Sequence, residues 1–460
     1  MKHSMRLYNT KSRSIEDFSP LSGKTVTMYA CGPTVYDYTH IGHMRKYIGD
    51  DILRRTLTAL GYEVKHVMNI TDVGHLTNDS DTGDDKFEKT AQKEGKSVWD
   101  IAAFYTNYFH TTMEAVHVLP PVIEAKATDH IKEMIALVEK LVAEGYAYET
   151  SQAVYFDVSK DAHYGELSGQ KLSEKETAAR DDVVIDPDKR NPADFSLWFK
   201  RVGKFADHAM YWPSPWGDGF PGWHIECSAM SMHYLGETID IHTGGIDHIP
   251  VHHENEIAQS ECATHKQFVR YWVHHDFLNV EGEKMSKSKE NFYTIDDIIA
   301  HKIDPLAVRI LFMQTSYRKP LNFTWESLDA ADQQLKKLQK FAAHHSEAGS
   351  ISKEYKKVFL EGLEDDLNTA KAIATVWELI ADTTLSEEDK WATLLDFDTV
   401  LGLGLKDAEK FLITEAADAL VTERDEARKN KDYEKSDQLR HELEALGYEV
   451  LDTSDGTKLQ

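Results

Sequence analysis

Hydrophobic and polar positions follow different periods in different parts of the chain, and the change of period divides it. Lys24 to Ala30 (KTVTMYA) is dense in β-branched and aromatic residues and predicts a strand. Gly32 and Pro33 break it into a loop. Ile48, Ile52, Leu53, Leu57 and Leu60 then recur at helical spacing, with Gly61 as the stop. Glu63 to Ile70 (EVKHVMNI) predicts a second strand. Strand, loop, helix, strand is half of a nucleotide-binding α/β unit.

The next stretch, Gly74 to Asp85, is polar and acidic and predicts a mobile loop. From about Pro121 to Val202 helical and strand patterns mix, with a strand expected at Tyr155 to Val158 and a charged loop from Lys171 to Arg190; the segment reads as an insertion. Strand and helix signals resume near Trp212 and run to about Ile299. Beyond Asp304 the pattern is helical throughout. Leu335, Leu338 and Phe341 share one face, Leu360, Leu363, Leu367 and Ala370 a second, and Val376, Leu379 and Ile380 a third. A short charged helix near the end places Leu439, Leu443 and Leu446 inside and is closed by Gly447. The plan is an interrupted α/β front and a helical back.

Composition narrows this plan. At 460 residues the chain exceeds one ordinary core, and about two to four domains are expected. No run of eighteen apolar residues exists, so no membrane span is expected, and the first residues lack the apolar centre of a secretory signal. Three cysteines cannot build a disulfide framework, which points to a reducing cytoplasm with thiols free, buried or metal-bound. A net charge of -26 argues against a broad basic surface for nonspecific nucleic-acid binding, while leaving room for a local basic track.

Three stretches carry chemistry. His40-Ile-Gly-His43 sets two imidazoles and a glycine at the start of the first helix, where the partial positive charge of the helix end and close backbone approach suit phosphate oxygens. Glu283 to Lys289 (EKMSKSK) places three lysines in a short stretch suited to a polyphosphate, although a solvated basic loop has the same composition. Third, Cys31, Cys227, His252 and Glu256 offer an S2NO donor set, with His252 and Glu256 one helical turn apart. Two buried cysteines and a polar helix remain the plainer reading of spacing alone.

HIGH followed by KMSKS, in this order and at this distance, resembles the signature of the class I aminoacyl-tRNA synthetases. The segments CGPTVYDYTHIGH, GWHIECSAM and HHENEIAQSE are similar to those of the cysteinyl-tRNA synthetases, and the similarity spans nearly the whole chain. The resemblance implies an α/β fold: a Rossmann-type catalytic domain in two halves (1–120 and 206–300) around a connective insertion (121–205). A stem-contact region (301–345), a helical bundle (346–410) and a small anticodon-binding domain (411–460) would follow.

It further implies one Zn²⁺ on Cys31, Cys227, His252 and Glu256, binding the thiolate of substrate cysteine, and Mg²⁺ with ATP. Thr71, Trp223 and His242 match positions around the amino acid; Gly244, Gly245 and Asp247 match the adenine and ribose loop. Thr34, His40, His43 and Lys287 would contact ATP, with Lys284 and Lys287 joining the histidines in catalysis. Arg428, Tyr433, Asp437 and Asp452 fall on anticodon positions, where arginine, an aromatic and carboxylates can read splayed bases. Partners would be tRNA(Cys), ATP and L-cysteine, with no membrane, and the protein a monomer.

Particular residues depart from the family pattern. Tyr433 stands where many relatives have tryptophan, Phe220 replaces an arginine before PGWHIEC, and DHIPV replaces a Phe-Pro turn before HHENE. The ending GTKLQ lacks the usual Trp-Arg, and the Gly74 to Asp85 stretch is longer than usual. Two other functions fit parts of the sequence. One is a ligase that passes activated cysteine to an amino sugar, which has little need of the region beyond Ser346. The other is a nucleic-acid binding protein with a structural zinc and an inactive front half, which the intact HIGH and KMSKS motifs oppose.

Overall fold

The computed structural model of the chain describes residues 5–74, 76–78, 82–170, 186–285, 291–345, 347–408, 415–446, 448, 450–453 and 456–459. Its centre is a five-stranded sheet of β1 (Thr25–Ala30), β2 (Glu63–Ile70), β3 (Ile123–Lys126), β4 (Ile239–Gly245) and β5 (Val269–His275). The spatial order is β5-β4-β1-β2-β3, and every pairing is parallel. This is the doubly wound arrangement, whose strand order reverses between β1 and β4 and leaves a crevice beyond their carboxyl ends.

Three helices position the site. α1 (Ile41–Ala59) links β1 to β2; α2 (Trp223–Leu235) precedes β4; α3 (Glu254–Thr264) links β4 to β5. The α1 face of the sheet and the C-terminal helices Trp325–Ala343, Lys353–Glu364, Thr369–Ala381 and Glu387–Leu401 share one apolar core, running from Ala30 and Ile48 to Leu394 and Phe397. The opposite face packs α2, α3 and the helix Ile131–Ala143.

Between β3 and α2 lies an antiparallel sheet of Ala147–Glu149, Ala153–Phe156, Phe195–Lys200 and Gly219–Pro221. Phe220, in the position of the expected arginine, is fully buried there, with its ring 3.9 Å from that of His208 and 5.0 Å from that of Phe199. Among the described residues no helix is long and apolar enough to cross a membrane.

Several local expectations are corrected. Gly74 to Asp85 is not simply a loop: Leu76–Asn78 pairs with Thr82–Asp85, and the Asp85 carboxylate caps the next helix by accepting from Glu88 N at 2.9 Å. The strand expected at Tyr155 to Val158 runs from Ala153 to Phe156, and Val158 opens a 3-10 turn. Of the charged stretch Lys171 to Arg190, residues 171–185 lie outside the described ones.

The helix expected through Leu360, Leu363, Leu367 and Ala370 breaks after Glu364, and Ala370 is exposed. Asp366 and Leu367 take positive φ there, and the Asp366 carboxylate turns inward. It accepts from Tyr8 N at 2.8 Å, Tyr317 OH at 2.7 Å and Arg318 Nε at 2.7 Å. Three donors outweigh the cost of two left-handed residues. Leu446, expected inside, is exposed because the last helix ends at Ala445; Gly447 lies outside the described residues.

Candidate active site

The crevice at the strand reversal is furnished by the residues that follow β1 and β4. Cys31 comes directly after β1, and its N–H donates to the Thr243 carbonyl at 3.1 Å. Gly32 is required by close approach: a Cβ there would stand 1.6 Å from the Asn69 carbonyl oxygen. The loop then lies along the end of β2, with Thr34 bridged to Thr71, and α1 starts with His40 as its N-cap.

The His40 and His43 rings stack at 3.5 Å over the first turn of α1. Ile41 N donates to Tyr293 O at 2.9 Å, and a Cβ on Gly42 would be 3.6 Å from Met285 Cε. The HIGH turn therefore lies against Met285 of the KMSKS motif and against Tyr293 beyond it. Lys284 sits in a two-residue strand opposite Asn279, while 286–290, Lys287 included, lie outside the described residues.

On the far side of Cys31, α2 brings Cys227, the turn into α3 brings His252, and the first turn of α3 brings Glu256. All four are buried, and one donor atom from each falls within 4.8 Å of the others. Bonds of about 2.0–2.3 Å in a tetrahedron put donors roughly 3.3–3.8 Å apart, so small adjustments of side chains close the set on an ion. Among the described residues one other group of four meets this criterion, Cys31, His242, His253 and Glu256, sharing two members with the first.

Electrostatics show what the cluster lacks. Burial pushes the His252 imidazole toward its neutral form, but Glu256 and Cys227 outweigh it and lift its pKa to about 10. Burial likewise opposes ionisation of Glu256, yet His242 and His252 hold it at about 2. Burial raises both thiols. The acidic groups of the cluster thus attract positive charge strongly enough to overcome burial. Glu256 Oε1 lies 3.0 Å from His252 Nε2 and 3.8 Å from His253 Nε2 without hydrogen-bond geometry to either, while Oε2 accepts from His242 Nε2 at 2.9 Å. A buried carboxylate oxygen without a hydrogen bond beside two thiols and an imidazole fits a divalent cation with soft and borderline ligands.

Other expected residues gather around this point. Trp223, the first residue of α2, holds its ring 4.3 Å from that of His252. Thr71 donates to Glu226 Oε2 at 2.8 Å; burial pushes Glu226 up to about 8. His242 is buried, stacked 4.7 Å from Trp272.

At the end of β4, a Cβ on Gly244 would be 2.4 Å from His253 Cε1 and 2.8 Å from His248 Nδ1. Gly244→Ala is therefore expected to lower stability by about 1–3 kcal/mol, read from a denaturant midpoint, because the fully buried His253 ring would have to shift. On Gly245 a Cβ would meet Asp247 Oδ1 at 2.2 Å; Asp247 itself is exposed.

Sequence reasoning passed over Glu226, His253 and His274. His253 Nε2 is 3.3 Å from Cys31 Sγ, and its Nδ1 is 2.6 Å from His274 Nε2. Their signal was adjacency: Glu226 precedes Cys227, and His253 follows His252.

At the chain end, Arg428 pairs with Asp452, which also binds the buried Arg424 at 2.7 Å. Tyr433 and Asp437 face solvent on the last helix.

Comparison with known proteins identifies the family. Residues 17–333 match the model for the "tRNA synthetases class I (C) catalytic domain", and residues 412–458 that for the "Cysteinyl-tRNA ligase anticodon binding domain". A cysteine–tRNA ligase of Treponema denticola is 42% identical over 489 residues, covering 99% of both chains. Cysteine–tRNA ligase 1 of Burkholderia lata is 44% identical, covering 99% of this chain and 96% of its own. Among solved structures, the LeuRS–tRNA–LeuAMS complex of Agrobacterium radiobacter K84 superposes with a TM-score of 0.60 at 13% identity, covering 87% of each chain. At that identity it speaks for the fold alone.

Proposed function

Because the chain belongs to the cysteine–tRNA ligase family of class I aminoacyl-tRNA synthetases, we propose that its buried cluster selects cysteine through zinc while the HIGH turn holds ATP for adenylate formation. Cysteine, ATP and tRNA are its substrates by family. The observation that carries the finer reading is the donor set of Cys31, Cys227, His252 and Glu256, with Glu256 Oε1 left without a hydrogen bond beside it.

Bound there, zinc supplies a preference for thiolate, whose pKa it lowers, over the hydroxyl of serine, which stays protonated near neutral pH. Shape alone discriminates poorly between two such isosteres. Thr71, Trp223 and His242 are assigned to the amino acid, and Gly244, Gly245 and Asp247 to adenine and ribose. In this reading His40 and His43, with Thr34 nearby, hold the phosphates, and Lys284 and Lys287 offset charge as pyrophosphate leaves.

The cysteine carboxylate oxygen attacks the α-phosphorus in line, so the new O–P bond forms as the bond to pyrophosphate breaks. A hydroxyl at the tRNA 3′ end then attacks the adenylate carbonyl and releases AMP. The first step needs little proton transfer, and positioning with electrostatics carries it. Mg²⁺ is expected with the ATP.

The division of the chain into catalytic halves, connective insertion, stem-contact region, bundle and tail belongs to this reading. So does the assignment of Arg428, Tyr433, Asp437 and Asp452 to the anticodon. The match of residues 412–458 to an anticodon-binding family favours tRNA over an amino sugar as acceptor.

Cysteine-dependent ATP–pyrophosphate exchange is the direct test. Zinc-replete protein is expected to exchange with cysteine and not detectably with serine; absence of exchange with cysteine would sink the reading. Lys287→Ala should lower the exchange rate about 10²- to 10³-fold with cysteine affinity nearly unchanged, as expected for a group that acts on charge developing in the transition state.

A further inference from the structure

Cys31 is held by its backbone from two sides, and one of them uses buried charges that the reading above leaves idle. Its N–H reaches Thr243 of β4. The ladder between β1 and β2 ends at the pair Ala30 and Met68, so the Cys31 carbonyl emerges past it. The group that meets this carbonyl is the ammonium of Lys46, which donates to it from α1. Lys46 is 9% exposed and pairs with Asp50, one turn further along α1, at 2.8 Å. Asp50 Oδ1 accepts from His275 Nε2 at 3.0 Å, at the end of β5.

Space is kept for this chain of contacts. A Cβ on Gly49 would lie 2.3 Å from His275 Cε1, so the glycine lets the imidazole rest on α1. Burial pushes the Asp50 carboxyl up, but Lys46 and His275 outweigh it and hold it below the ordinary carboxylate range. A buried ammonium without such a partner costs several kcal/mol, so Lys46 needs Asp50, and an apolar residue at 46 would fill the same volume without either. The charge earns its place through what it touches. Lys46 also stands one turn beyond His43 on the same helix.

Resting on Cys31 as a metal ligand, we infer that Lys46, held by Asp50 and His275, is a positioning residue for cysteine recognition. It locks the Cys31 peptide to the first two turns of α1 and so sets the spacing between the thiol-binding and phosphate-binding ends of the site. The strut predicts an asymmetric defect: the thiol end drifts while the phosphate end, at the capped start of the same helix, stays.

The test compares wild type, Lys46→Met and Lys46→Arg. Lys46→Met is expected to bind zinc about 10- to 100-fold more weakly by chelator competition, the range for partners that orient a ligand. The visible bands of its Co²⁺-substituted form should shift, and its KM for cysteine in exchange should rise about tenfold while that for ATP stays within about twofold. Lys46→Arg, which keeps charge and donor, should recover most of both. Unchanged zinc affinity, Co²⁺ bands and cysteine KM in Lys46→Met would overturn the inference, as would equal losses for cysteine and ATP. If Lys46→Met does not fold, Lys46→Gln serves, with at least about a threefold loss of zinc affinity expected and no loss counting against the inference. Wild type that takes up no zinc would instead sink the ligand reading itself.

Discussion

A Cys227→Ser protein is expected to lose zinc and cysteine activation together. The substitution changes one atom in a buried helix and barely alters volume, so fold and ATP site should persist. What changes is the ligand: a serine hydroxyl does not ionise near neutral pH and is a harder donor than a thiolate. Three donors then remain from the set, and metal affinity should fall by more than about 100-fold, beyond what loss of an outer partner costs. Cysteine-dependent exchange should fall to background, because substrate selection and metal retention share that sulfur. Full zinc by metal analysis would show the ligand assignment to be wrong. Residual binding would point to Cys31, His242, His253 and Glu256, and adding His253→Ala should abolish it.

Arg309→Met is expected to destabilise the protein by about 3 kcal/mol, the low end of the cost of breaking a buried ion pair, because Arg55 still pairs with Asp51 at 2.7 Å. Arg309 is fully buried and donates to Asp51 Oδ2 at 2.6 Å. Its other donors reach Leu401 O at 2.9 Å, Val116 O at 2.9 Å and His117 O at 3.3 Å. One guanidinium thus joins α1, the segment after the helix Val98–Ala115 and the end of the helix Glu387–Leu401. A chain of this size need not unfold in one step, so the first transition in urea is the quantity to compare.

The pH dependence has a fixed sign. Burial pushes Asp51 up, but Arg309 and Arg55 outweigh it and hold its carboxyl below the usual range. Stability from that depression is present above the unfolded value, about 4, and is lost as pH falls through the folded one. The gap between wild type and Arg309→Met should therefore narrow as pH drops below about 4. A gap that widened on acidification would show that the ion pair is not its source.

Much of the α/β front was legible. β1, the loop at Gly32, α1 and β2 follow from period and breakers, because β-branched runs, helical spacing and Gly or Pro stops are local signals. What the pattern hid about α1 is its polar interior. Arg45, Lys46, Asp50 and Asp51 are all buried: the end of the sheet and the segments after β5 enclose the first three, and Arg309, which reaches the C-terminal helices, covers Asp51. No local period announces a helix covered twice. The break at Asp366 escaped for a similar reason: its donors Tyr8, Tyr317 and Arg318 come from distant chain. In the site, spacing offered His252 and Glu256 as a helical pair, but it carried no means of ranking His252 above His253. The polypeptide around both leaves the regular α-helix, in a wider turn from Ile249 to His253 that precedes α3.

The pairing of β1 with β4 also bears on how the molecule is made. Ala30 lies beside Thr243, and everything between them must leave the ribosome before that pair forms. At roughly 5–20 residues per second the wait is on the order of 10–40 s. Through that interval one edge of β1 is unpaired and Cys31 has neither sulfur nor imidazole for company. Until the second half arrives, the nascent front half keeps an unpaired strand edge, the kind of surface that makes partly folded chains prone to aggregation. Its exposure ends by synthesis of the remaining chain, so slower elongation between 31 and 243 should raise misfolded yield more than slowing after 275.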